Sequence, residues 1–208
     1  MQFTKSTLLV AALLLTGGAA AQDGPLGPYT ENTDRFRLTI RSKVEGMWGQ
    51  YLYAAHVGAA EELIKISPES SAEFYVASAP GAPIPYFSVK PVGVLAWDLP
   101  INTPGEASAM VAASSMRFVE ETADGISLAA LNVGVDEKII PQPLIGFDRE
   151  GRMYAYVAGE TDDDAELYYE WFVCKTTFGQ DKFDTLAWVH GKNVSDDKCI
   201  EVTIVQDI

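Results

Sequence analysis

Apolar and polar residues alternate with a period of two along most of this chain, the signature of strands with one buried face. Phe36, Leu38 and Ile40 alternate with Arg35, Arg37, Thr39 and Arg41. Gly46 and Gly49 then bracket Met47-Trp48 in a predicted turn, and Gln50–Val57 follows as a strand. Gly58–Ile66 is mixed. Its Ala and Glu residues favour a helical turn, while Leu63–Ile66 reads as a strand. Short strands are expected at Glu73–Ala77 and Val94–Asp98, separated by a segment carrying Pro80, Pro83, Pro85 and Pro91 that cannot sit inside a ladder. Met116–Glu120 and Ile126–Asn132 form a predicted pair around Ala123-Asp124-Gly125. Leu144–Asp148 and Arg152–Val157 make the clearest hairpin, and Glu160–Glu166 reads as an acidic loop.

The C-terminal stretch completes the pattern. Tyr169, Trp171 and Val173 face one way and Glu170, Phe172 and Cys174 the other; Thr185–Val189 is a second strand, with Gly179 and Asp181 in the turn between. Ile200, Val202 and Ile204 mark a third. About a dozen short, mainly antiparallel strands at such spacing predict an all-β single domain over residues 35–208, a β-sandwich or barrel, with a β-trefoil as the alternative. Leu95-Ala96-Trp97 recurs as Leu186-Ala187-Trp188, too short an echo to establish a repeat.

The first 21 residues combine Lys5, the apolar run Leu8–Leu15 and small residues before Gln22, which predicts a secretory signal peptide cleaved after Ala21. The run is too short to span a bilayer. Residues 22–34 are polar and Gly/Pro-containing, and are expected as a flexible arm. An oxidising destination makes a Cys174–Cys199 disulfide the expected state of the two cysteines, closing a loop of about 25 residues; two free thiols are the alternative.

The formal net charge is −14, or −15 once the leader and its single lysine are removed. So acidic a chain lacks the basic surface that nucleic acid or an anionic membrane requires. Asn193-Val194-Ser195 is a glycosylation sequon in a predicted loop.

Candidate chemistry is sparse. His56 and His190 stand alone, with no G-x-S-x-G or H-x-x-x-H motif beside them, and are expected to be structural or at the surface. The acidic residues Asp162, Asp164 and Glu166 resemble a calcium loop only loosely and read better as a solvated loop; Asp148, Glu150, Asp196 and Asp197 also lie at predicted turns. No catalytic residue, metal site or cofactor is assigned. Trp97, Trp171 and Trp188 fall in strands and are expected in the core, whereas Trp48, between two glycines, is the candidate exposed aromatic. Trp48, Tyr51 and Tyr53 are therefore the candidate ligand-binding residues.

The run Gly49–Ala60, the later Leu95-Ala96-Trp97, and Trp171–Cys174 with Thr185–Trp188 and Cys199 resemble an uncharacterised family of small secreted proteins of filamentous ascomycete fungi, over about Phe36–Val205. The resemblance implies secretion, a fungal source and a compact domain, and carries over no catalytic residues. The resulting expectation is a monomeric, non-enzymatic extracellular or cell-wall-associated protein that binds a glycan or a cell-wall or host surface component. A carboxylate-dependent glycoside hydrolase and a purely structural surface protein are the alternatives.

Overall fold

The computed structural model describes residues 29–58, 61–86, 88–101, 110–121, 126–133, 143–158, 165–178, 181–189 and 198–207. The predicted leader, the first part of the arm, the Ala123–Gly125 turn, Asp162–Asp164, His190, the Asn193 sequon and Asp196-Asp197 lie outside them.

The described chain is all-β: β1 (Glu31–Asn32), β2 (Arg37–Arg41), β3 (Tyr51–Gly58), β4 (Glu61–Ser67), β5 (Phe74–Ser78), β6 (Val94–Ile101), β7 (Met110–Glu121), β8 (Ile126–Val133), β9 (Leu144–Phe147), β10 (Met153–Val157), β11 (Glu166–Tyr168), β12 (Trp171–Phe178), β13 (Asp181–Val189) and β14 (Cys199–Asp207). Every ladder is antiparallel. No helix among the described residues is long and apolar enough to cross a membrane.

Eleven strands form one sheet in the order β1-β5-β6-β7-β8-β13-β12-β14-β2-β3-β4. That sheet bends back on itself. Lys65 of β4 pairs with Thr185 of β13, so β13-β12-β14-β2-β3-β4 make a closed circuit. β8 lies at the seam. Its Ile126–Leu128 pair with β13, and its Ala130–Asn132 pair with β4. From β8 the sheet continues through β7, β6 and β5, and a bridge between Phe36 and Phe74 ties its far side back to the residue before β2. The predicted barrel-or-sandwich class is thus realised with most edges paired, which removes sites for strand-on-strand aggregation.

The pairing places one apolar core between the circuit and the extension. Leu38, Ile40, Leu52, Ile64, Val173, Leu186, Val202 and Ile204 meet Phe74, Val76, Leu95, Met116, Ala129 and Leu131. Trp171 is fully buried among them, and its indole N–H donates to the Met153 carbonyl at 3.0 Å. β5 is buried on both faces. Phe74 and Val76 enter this core, while Tyr75 and Ala77 join Val94 and Ala96 in a second cluster.

A three-stranded sheet, β11-β10-β9, covers one side, contributing Ile145, Phe147, Met153 and Ala155 to the core. Bridges Gly93–Ile145, Ser88–Asp148 and Arg152–Val205 attach it. At the tip of its β9–β10 hairpin the Asp148 carboxylate accepts the N–H groups of Glu150 and Arg152 at 2.9 Å and Arg152 Nε at 2.7 Å. Cys174 and Cys199, directly opposed on β12 and β14, form the expected disulfide.

Several expectations shift in detail. β7 begins six residues before the predicted Met116, and β13 starts at Asp181 rather than Thr185, so Asp181 lies in a strand and not in the predicted turn. Gly58–Ile66 contains no helical turn among its described residues. Glu166, read as the end of an acidic loop, opens β11. From Thr30 on, the predicted arm is laid along β5: Thr30 and Thr33 donate backbone N–H groups to Ser78 and Val76.

Candidate functional site

Phe74 and Trp97 are register partners on β5 and β6, and Phe36 bridges Phe74 from the other side. This aromatic row ends the core. Charged residues are adjacent to it in sequence: Arg35 before Phe36, Glu73 before Phe74 and Asp98 after Trp97. The register therefore gathers three charged residues, Arg35, Glu73 and Asp98, at one rim beside the aromatic row.

At that rim an open groove of about 440 Å³ is lined by Arg35, Tyr53, Ala54, Ser70–Glu73, Trp97 and Asp98. The Ser70–Glu73 wall is shaped locally. Ser67 Oγ accepts the backbone N–H groups of Glu69 and Ser70, closing the turn after β4, and Ala72 N–H donates to the Leu52 carbonyl at 3.1 Å, pinning the segment onto β3. Trp97 is half-buried, one part packed on the core and the rest lining the groove.

Arg35, Tyr75 and Asp98 form a network beside the groove. The guanidinium meets Asp98 Oδ2 at 2.6 Å and lies over the Tyr75 ring, 5.0 Å from its centroid. The Tyr75 hydroxyl donates to Asp98 Oδ1 at 3.1 Å. Burial, then the adjacent Asp98 carboxylate and its hydrogen bond, push the Tyr75 phenol up to about 12, with Arg35 pulling the other way. Both Asp98 oxygens are therefore engaged in fixing neighbours. A glycosidase needs a pair of carboxyl groups available as acid and as base or nucleophile; Glu73 is the groove's other carboxylate and forms no ion pair among the described residues. The arrangement is suited to recognition: an aromatic surface, a fixed ion pair and the Ser70 and Ser71 side chains beside it.

Of the three candidate ligand-binding residues, Tyr53 lines this groove; Trp48 and Tyr51 do not. Trp48 is 67% exposed in the β2–β3 turn, between Gly46 and Gly49, both at positive φ. Tyr51 is half-buried opposite Thr39 and Ser67. His56 pairs through Nδ1 with buried Glu62 at 2.7 Å, a structural contact between β3 and β4. Trp97 and Trp188 are half-buried rather than enclosed, packing against the core, whereas Trp171 is wholly enclosed. Arg35, Glu73 and Asp98 escaped sequence reasoning. Their signal, a charge next to a core aromatic, recurs too widely to single them out.

A second cleft of about 460 Å³ lies on the β12–β13 hairpin, lined by Lys175, Thr176, Thr177, Lys182, Phe183 and Asp184. The Lys65 ammonium sits 3.0 Å from the Phe183 ring centroid and occupies one face of that ring, and Lys175 lies directly opposite Asp184. Comparison with protein-family models, with curated proteins and with solved structures gives no match to this chain.

Proposed function

We propose that the protein is an extracellular binding domain that holds a sugar unit of a glycan in the groove at the Phe36–Phe74–Trp97 rim. One observation carries the reading: a half-buried tryptophan lines an open groove beside a fixed Arg35–Asp98–Tyr75 network. Sugars present C–H faces that pack on aromatic rings and hydroxyls that need oriented polar partners, and the rim supplies both. The engagement of both Asp98 oxygens favours binding over hydrolysis. The predicted leader, the disulfide and the resemblance to secreted fungal proteins support an extracellular setting.

The test is calorimetric titration with a panel of soluble oligosaccharides and pull-down on insoluble polysaccharides, using the chain without its first 21 residues. At least one glycan is expected to bind, and Trp97→Ala to weaken it at least tenfold, about 1.4 kcal/mol. Tyr53→Ala is expected to weaken it less. Failure of the whole panel, or binding unchanged in Trp97→Ala, overturns the reading.

A further inference from the structure

The charge balance of the groove narrows its ligand, given the glycan reading above. We propose that the preferred sugar is an amino sugar with a free, protonated amine, presented as a glucosamine-type oligomer. Asp98 is neutralised by Arg35 at 2.6 Å, and the Tyr75 phenol keeps its proton through the neutral range. Glu73 remains. It is exposed, lines the same groove and has no cationic partner among the described residues. Because Phe74 and Trp97 are register partners, Glu73 and Asp98 flank the same end of the β5–β6 ladder, and the one arginine in the groove lining is engaged by Asp98. The groove thus carries an uncompensated negative charge beside an indole.

An ammonium is attracted by both features, to the carboxylate by charge and to the ring by its quadrupole. A uronate or a sugar phosphate would instead place a second anion against Glu73. The whole-chain excess of 29 acidic over 15 basic residues acts in the same direction, repelling polyanions and drawing in polycations. Ser70 and Ser71 leave hydroxyl groups on the wall beside Glu73 for the sugar's own hydroxyls.

The experiment compares three oligomers of equal length by calorimetry: β-1,4-linked glucosamine, its fully N-acetylated counterpart, and galacturonate. The free-amine oligomer is expected to bind at least tenfold tighter than the acetylated one, with no binding of the uronate. Glu73→Gln should abolish that preference, so that the free-amine and acetylated oligomers bind that variant about equally. Glu201→Gln removes the same charge from an exposed site on β14 and should leave the preference intact, which separates recognition in the groove from general polycation attraction. Equal or tighter binding of the acetylated oligomer, binding of the uronate, or equal effects of the two substitutions overturns the amino-sugar assignment and leaves the glycan reading standing. Absence of binding by these oligomers and by the wider panel overturns both.

Discussion

The Tyr75 hydroxyl donates to Asp98 Oδ1 at 3.1 Å, while Arg35 holds the other oxygen of the same carboxylate. Tyr75 belongs to the outer cluster of β5 and β6, so the bond ties the groove's charged edge to packed structure.

That bond has a consequence at high pH. The folded phenol is raised to about 12, above its ordinary value of 10.0. Between those values the folded chain retains a proton that the unfolded chain has released, so stability falls as pH rises through the interval and is fully present below it. Tyr75→Phe is expected to flatten the fall. Part of the slope remains, because burial also raises Tyr154 and Tyr169. At neutral pH the variant should lose about 1 kcal/mol for the hydrogen bond. Denaturant unfolding at a series of alkaline pH values measures both; identical slopes in the two proteins would contradict the account.

Two glycines should tolerate no side chain, to different degrees. A Cβ at Gly93 would stand 2.2 Å from the Ala77 carbonyl oxygen, and one at Gly146 would stand 2.3 Å from the Tyr154 ring and hydroxyl. Backbone cannot step aside as a side chain can. Gly93→Ala is therefore expected to cost more than Gly146→Ala, which should fall in the range of about 1–3 kcal/mol typical of overpacking. Comparing the two unfolding midpoints decides the order.

Cys174→Ser with Cys199→Ser should lower stability by about 3 kcal/mol, from release of a 25-residue separation in the unfolded chain. Adding reductant should destabilise the parent chain comparably and leave the double variant's midpoint where it is.

Trp171 and Trp48 define opposite extremes. Trp171→Phe removes the donor to the Met153 carbonyl and opens space in the core, with an expected loss of about 2–4 kcal/mol. Trp48→Ala, at 67% exposure, should stay within about 0.5 kcal/mol. Acrylamide should quench Trp48 and leave Trp171 protected, which single-tryptophan variants would show.

The strands were legible because their signal is local. Leu38 and Ile40 inward with Arg37 and Arg41 outward is the alternation read from the sequence, realised in β2. The disulfide was legible from composition and the expected compartment. What escaped depends on pairing between distant residues. Nothing near Lys65 indicates that Thr185 will lie beside it. The first half of β7, with small residues such as Ala112, Ala113, Ser114 and Ser115, carries no alternation, and its extended form follows from pairing with β6. The groove is the product of register. Arg35 and Asp98 are 63 residues apart and meet through the Phe36–Phe74 bridge and the β5–β6 ladder.

The closed circuit joins β2 to β14 and β4 to β13, so segments made early are lined by segments made last. Leu38 and Ile40 share their core with Val202 and Ile204, so their covering depends on β14. A chain cut just before Cys199 would lose the strand that pairs with β2 and the cysteine that locks β12. Closure of the circuit therefore rests on contacts between residues far apart in sequence, the kind of pairing that makes folding slow.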